Sequence, residues 1–424
     1  MCCRIFQPRE QTLSEQNAPS AQDLLNQGMV VPRSPLRMWL AGWMVVSVFI
    51  LSNTATPLYV VWQGQLGFAS STLTLIFAAY ILGLLLSLLV AGQVSDRYGR
   101  RVVLLPGLVC AMSAAWLFKS AESVESLLFA RLLTGIAVGI IVSAGMASVV
   151  DQGGLPRRRL SSLVASMSMV LGAGLGPLLA GSFATFASQP IEKVFTLELG
   201  ILALAFLIAW TMPDEANKAR PRGHAKWRFP SVERHHRLHI LLGIALFGPG
   251  ITATSFVLSL GPSLLASLLN IKTPLMAGAT AFLMFISAFV VQMALRRRTV
   301  EHIFYFSATA TFFSMLGICT AIAISSPVVL IIAALLAGAG QGLGQLGGLT
   351  LIALRISDNK RAQANALLNM GGYVPAGLLP VATGFLIDRT DLAFGAYTLA
   401  GLLASCALLA AWFVARNKQE VHHY

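Results

Sequence analysis

Charge is what this sequence has least of. Only 11% of its 424 residues are Asp, Glu, Lys or Arg, against about 25% in a soluble globular protein. That scarcity excludes an ordinary soluble enzyme, a disordered chain and a nucleic-acid-binding domain. Acids are the rarer sign, 17 against 30 bases. Five cysteines are too few and too scattered for a secreted disulfide scaffold. Cys110, Cys319 and Cys406 fall in apolar runs, so neither a disulfide nor a metal site is suggested. Cys2 and Cys3 read as plain tail cysteines, because no myristoylation glycine or polybasic cluster accompanies them to argue for lipidation. His224, His235, His236 and His239 lie in or beside one basic stretch and imply no metal geometry.

What the chain has in abundance is apolar length. Hydrophobic residues make up 56% of it, and its mean hydropathy is +0.73. Twelve windows can each cross about 30 Å of hydrocarbon as a helix. They fall near 37–60, 69–91, 102–119, 127–149, 162–184, 195–211, 239–260, 274–294, 303–322, 327–348, 365–386 and 393–414. With both termini on one side, 25 of the 30 Lys and Arg share that side, four lie opposite and Arg131 falls within a span. The positive-inside rule then makes that side cytoplasmic and supports an even number of spans. The net charge of +13 is therefore mostly a topology signal. The first 35 residues read as a cytoplasmic tail without the arrangement of a signal peptide.

A hydrophilic stretch divides six spans from six. The expected organisation is a cytoplasmic tail at 1–36, a six-helix bundle at 37–213, a cytoplasmic linker at 214–238, a second six-helix bundle at 239–414 and a tail at 415–424. The halves echo each other: Leu171–Gly181 in the fifth span and Met370–Gly384 in the eleventh are both broken by Gly and Pro. Such punctuation suits helices that pack closely, bend, or bound a moving cavity.

At this point the chain resembles the major facilitator superfamily, over about residues 37 to 414. The run Gly92-Gln-Val-Ser-Asp96-Arg97-Tyr-Gly99-Arg100-Arg101 is similar to the family signature G-x-x-x-D-R-x-G-R-R/K between spans two and three. Arg131-Leu-Leu-Thr-Gly135 resembles its R-x-x-x-G element in span four. Gly172, Gly176, Pro177 and Gly181 resemble the G-x-x-x-G-P-x-x-x-G element of drug/proton antiporters. The resemblance implies an all-α membrane protein with twelve helices in two pseudo-symmetric six-helix bundles. It implies a transporter and not an enzyme: efflux of small, partly hydrophobic compounds, driven by a proton gradient with no cofactor. The setting it implies is the bacterial inner membrane, with a small-molecule substrate and membrane lipids as partners, no nucleic acid, and a monomer as the working unit. A sugar or metabolite transporter of the same fold is the nearest alternative, and a membrane sensor or scaffold a more distant one.

Particular residues carry further expectations. Asp96 can accept charge-assisted bonds from a neighbouring arginine or a helix terminus, a latch between conformations that the resemblance assigns to Gly92, Asp96, Arg97, Gly99, Arg100 and Arg101. An arginine within a span must pair, snorkel or face a wet cavity. The resemblance makes Arg131 a proton-coupling or cavity residue, with snorkelling toward Glu122 or Glu125 as the alternative. Glu198 is expected in the outer loop with Glu192 and Lys193; buried instead, it would be a proton carrier. Span one offers Asn53, Thr54 and Thr56 but no acid, a departure from those family exporters that keep one there. Gln341 and Gln345, one helical turn apart, line a cavity or bond between helices. Gly172, Gly176, Pro177 and Gly181 are expected to permit bending and close packing. In the second half Arg296, Arg297 and Arg298 keep the positive charge of the signature loop without its Asp or glycines.

Overall fold

The computed structural model describes residues 35–154, 157–212, 236–270 and 273–421. The side chain of Asp96, those of Arg158 and Arg159, nearly all of the N-terminal tail and most of the linker, with His224 and His235, lie outside the described residues. Twelve helices are long and apolar enough to span a membrane. The first six are α1 (Pro35–Leu66), α2 (Ser70–Tyr98), α3 (Arg100–Lys119), α4 (Val124–Gly153), α5 (Arg158–Phe186) and α6 (Pro190–Thr211). The last six are α7 (Arg237–Leu268), α8 (Pro274–Leu295), α9 (Val300–Ala323), α10 (Pro327–Arg355), α11 (Asp358–Arg389) and α12 (Leu392–Arg416). There is no strand among the described residues.

Helix ends run past the apolar windows wherever the backbone can keep its hydrogen bonds. Helix α1 continues through the polar Gln63-Gly-Gln65 and stops at Gly67, whose φ of 65° lets its N–H return to the Gln63 carbonyl. Helix α6 starts at Pro190 and not near 195, because a proline at the first position loses no helical hydrogen bond. Three helices are irregular inside. Helix α1 breaks into a 3₁₀ turn at Thr56–Leu58 beside Pro57, while α4 and α7 each contain one π-turn, at Ile141–Gly145 and Leu264–Leu268.

Glycine decides which helices touch. A Cβ on Gly135 of α4 would stand 2.0 Å from the Tyr80 carbonyl oxygen of α2. One on Gly176 of α5 would stand 2.1 Å from the Ile50 carbonyl oxygen of α1. In the second half Gly338 of α10 meets the Met284 carbonyl of α8 at 2.0 Å in the same sense. Lipid tails offer no hydrophobic drive for helix association, so backbone approach at small residues supplies the dispersion contacts that join these helices. Large apolar side chains including Phe129, Trp116, Leu409 and Trp412 point outward and are exposed, as a lipid-facing belt requires.

Candidate functional site

Between the two halves lies a cavity whose empty space, open mouth included, is about 800 Å³. Helix α1 contributes Phe49, Ser52 and Asn53, α2 contributes Phe77, Tyr80 and Ile81, and α5 contributes Met169, Val170 and Ala173. From the other half come Ile251, Thr254, Ser255 and Leu258 of α7, Phe285, Ala288 and Gln292 of α8, Gln341 and Gln345 of α10, and Tyr373 of α11. Among the described residues this lining holds no charged side chain. Aromatic rings and amides make up about half of it beside aliphatic side chains, a surface suited to a small organic molecule. Gln341 Nε2 donates to Gln345 Oε1 at 3.4 Å, and Gln292 Nε2 donates to the Gly342 carbonyl at 2.8 Å. Both amides of α10 therefore reach the cavity and also bond to each other.

Arg131 is fully buried behind the cavity wall. Its Nε donates to the Tyr59 hydroxyl and its Nη1 to the Ser52 carbonyl at 2.6 Å. Its guanidinium carbon lies 5.1 Å from the ring centre of Tyr59, 5.6 Å from Phe77, 5.7 Å from Tyr80 and 6.0 Å from Phe118. Four rings and a carbonyl replace the carboxylate that a buried cation usually finds. The geometry leaves no room for snorkelling toward Glu122 or Glu125. Phe77 and Tyr80 face the cavity on one side and the guanidinium on the other, so Arg131 lies one side chain removed from any occupant.

Glu198 corrects the outer-loop expectation. It sits on the third turn of α6, 1% exposed, with Thr54 Oγ1 of α1 2.8 Å from its Oε1. The earlier start of α6 carries it into the bundle, while Glu192 stays outside and meets Lys119 at 4.0 Å. Trp62, Phe118 and Phe195 stack on one another at centroid distances of 5.1 to 6.2 Å, with Phe195 one helical turn before Glu198 on α6. Glu198 does not line the cavity. Asn53 does, with its Nδ2 3.5 Å from the Ala173 carbonyl of α5.

The signature run closes the turn between α2 and α3. Gly99 has a φ of 102°, a conformation that L-residues rarely adopt, whereas a Cβ on Gly92 would meet open space. Arg100 bonds to Asp151 at the end of α4 at 3.2 Å and to Ser95 Oγ at 3.0 Å. Arg97 stacks on Tyr98 and Arg101 on Trp210. The sequence offered no sign of Asp151 as a partner.

At the opposite end the halves touch through side-chain-to-backbone hydrogen bonds and through close approach at glycines. Asp388 of α11 accepts from the Ser70 and Ser71 N–H groups at the start of α2, at 2.9 and 3.0 Å. Thr185 Oγ1 of α5 accepts from the Leu275 N–H of α8 at 3.2 Å. A Cβ on Gly278 would stand 2.2 Å from the Pro177 carbonyl oxygen, one on Gly181 2.7 Å from that of Pro274, and one on Gly384 2.2 Å from Thr74 Oγ1. Thus Gly172 and Gly176 seat α5 on α1 within one half, whereas Gly181 and the Pro177 carbonyl seat it on α8 across the divide.

Comparison with known proteins agrees with this architecture. The family model described as Major Facilitator Superfamily matches residues 38–319 and 301–423. An uncharacterized transporter of Rickettsia felis is 30% identical over 178 residues, 39% of this chain and 42% of that protein. The quinolone resistance protein NorA of Staphylococcus aureus is 23% identical over 181 residues, 42% of this chain and 45% of that protein. The chain thus spans less than half the length of these curated relatives. Among solved structures, the D-xylose–proton symporter superposes with a TM-score of 0.67 at 16% identity, covering 89% of this chain and 96% of that one. An auto-inhibited peptide transporter of the POT family gives 0.72 at 12%, covering 90% and 97%. Likeness at these identities concerns the fold.

Proposed function

This chain belongs to the Major Facilitator Superfamily, and on that premise we propose that it exports small, uncharged, partly hydrophobic compounds in exchange for protons. It is an integral membrane transporter and not an enzyme. The observation that carries the finer reading is the cavity: rings and amides from both halves, with no charge to pair an ionic substrate. The name of the staphylococcal relative, a quinolone resistance protein, supports a drug-like substrate. Two bundles meeting around a shared cavity support transport by alternating access. With both termini cytoplasmic, the Asp388 and Gly278 contacts hold the two halves together on the outer side. We place it in a bacterial inner membrane as a working monomer.

Flux through proteoliposomes tests the reading, with a panel of hydrophobic drugs, dyes, sugars and amino acids, with and without an imposed pH gradient. Gradient-dependent movement of the hydrophobic members is expected. Gradient-independent movement of a sugar would retain the fold and overturn the export reading in favour of the second one. That second reading, a sugar or metabolite transporter, draws on the amides of Asn53, Gln292, Gln341 and Gln345, which suit hydroxyl-rich ligands.

The signature loop acts in this scheme as a conformational latch. Asp96→Asn is expected to insert normally, read by membrane fractionation, and to lose most of its transport rate. Normal flux by a correctly inserted variant would remove the latch from the mechanism.

A further inference from the structure

Thr54 Oγ1 lies 2.8 Å from the Ile50 carbonyl oxygen and 2.8 Å from Glu198 Oε1. A hydroxyl carries one proton, and sharing it between two acceptors gives each a weaker bond than a single acceptor would receive. Two good hydrogen bonds among these three oxygens need two protons, and only the carboxyl can supply the second. We propose that Glu198 is the proton-binding site of the transporter and that the Thr54 hydroxyl reads its state. With Glu198 protonated, the acid donates to Thr54 and Thr54 donates to Ile50. When the proton leaves for water, Thr54 turns to donate to the carboxylate and releases the Ile50 carbonyl. One proton is taken up and one returned, and no covalent bond between heavy atoms changes.

The position of Ile50 makes that switch consequential. Its carbonyl oxygen is the atom on which α5 rests, since a Cβ on Gly176 would stand 2.1 Å away. Thr54 is the last residue before the α1 break, and its neighbour Asn53 lines the cavity and reaches toward Ala173 of α5. A proton at Glu198 thus acts on the α1–α5 contact and on the cavity wall without entering the cavity. Glu198 Oε2, buried and without a hydrogen-bond partner among the described residues, marks a carboxyl that the fold does not hold as a fixed anion.

The surrounding charges do not compete for it. Helices α1, α3 and α5 pack against α6. On α1 the buried titratable group is Tyr59, engaged by Arg131. Helix α3 brings the half-buried Cys110, and at its end Lys119, which meets Glu192. Arg100 and Arg101 stand at the far end of α3, beside Asp151 and Trp210, and Arg37 at the far end of α1. From residue 160 to 186, α5 carries no titratable side chain. Arg131 of α4 is committed to Tyr59 and Ser52, not to Glu198.

The inference rests on the proton-coupled reading, and two substrate-free measurements test it separately. Infrared difference spectra of the full chain in lipid vesicles are expected to show a protonated-carboxyl stretch that disappears on alkalinisation and is absent from Glu198→Gln. Thr54→Val should shift that band to higher frequency and Thr54→Ser should not. A band indifferent to Glu198→Gln overturns the site. In a background with its cysteines replaced by serine, maleimide labelling of Met169→Cys, on the α5 wall of the cavity, should change several-fold with pH beyond the thiolate-driven change measured in Glu198→Gln. Thr54→Val should flatten that response and Thr54→Ser restore it. An unchanged pH response in Thr54→Val overturns the reader. Failure of the export reading would show independently, as absent flux in the wild type.

Discussion

Replacing Arg131 with alanine is expected to lower transport about 100-fold while leaving most of the protein inserted and folded. The substitution removes two hydrogen bonds from a charged donor, to Tyr59 and to the Ser52 carbonyl, each worth about 1.5–3 kcal/mol. It also removes the ring contacts of the guanidinium, about 2 kcal/mol where desolvated. Against these losses stands the relief of a buried cation that lacks an acidic partner within 4.0 Å among the described residues, a cost of several kcal/mol in the wild type. The terms oppose each other in overall stability, so melting should shift modestly. They do not oppose each other in the mechanism, because Ser52 and Tyr59 flank the α1 break and lose their common anchor. Arg131→Lys keeps the charge but offers a single point donor where a planar fork spans two acceptors. It is expected to recover only a fraction of the rate. Initial flux per inserted molecule, beside thermal unfolding in detergent, checks both variants. Wild-type flux in both would show that the buried charge has no part in transport.

The second large effect separates two kinds of glycine. Gly135→Leu and Gly278→Leu introduce side chains of equal size against backbone carbonyls at nearly equal distances, 2.0 Å from Tyr80 and 2.2 Å from Pro177. Overpacking of this kind costs about 1–3 kcal/mol or more. Gly135 faces its neighbour inside one bundle, so every conformation bears the cost, and expression and melting temperature should fall. Gly278 faces across the two bundles, and the molecule escapes the clash by parting them at that end. A cost of about 1–3 kcal/mol confined to one conformation shifts its population by roughly 5–150-fold. Gly278→Leu should therefore remain stable and expose its cavity to the opposite side, as read by labelling a cavity cysteine from each face in turn. Equal loss of stability in the two variants would contradict rigid bundles moving past each other.

Much of the architecture was legible in the sequence because hydrocarbon thickness and backbone hydrogen bonding admit few solutions. Twelve apolar windows became twelve helices. Their ends were less legible, since hydropathy marks the lipid boundary whereas a helix stops where its hydrogen bonds do, as at Gly67 and Pro190. Asn53, Gln341 and Gln345 announced themselves as polar residues within apolar spans, and the cavity gathers all three. Arg131 was conspicuous for the same reason, but its partners were not. Tyr59 and the Ser52 carbonyl become acceptors only once α1 is broken and laid beside α4. Asp388 and Asp151 went unmarked, because their contacts join segments far apart in the chain. Gln292 was missed because one amide near a helix terminus resembles any surface residue.

The uncharged wall of the cavity has an electrical consequence. If cargo crosses without charge while a proton returns, each cycle moves one elementary charge through the membrane potential, and about 2.3 kcal/mol per 100 mV adds to whatever the pH difference contributes. Such a pump would continue to drive its substrate outward with the two solutions at equal pH, on voltage alone.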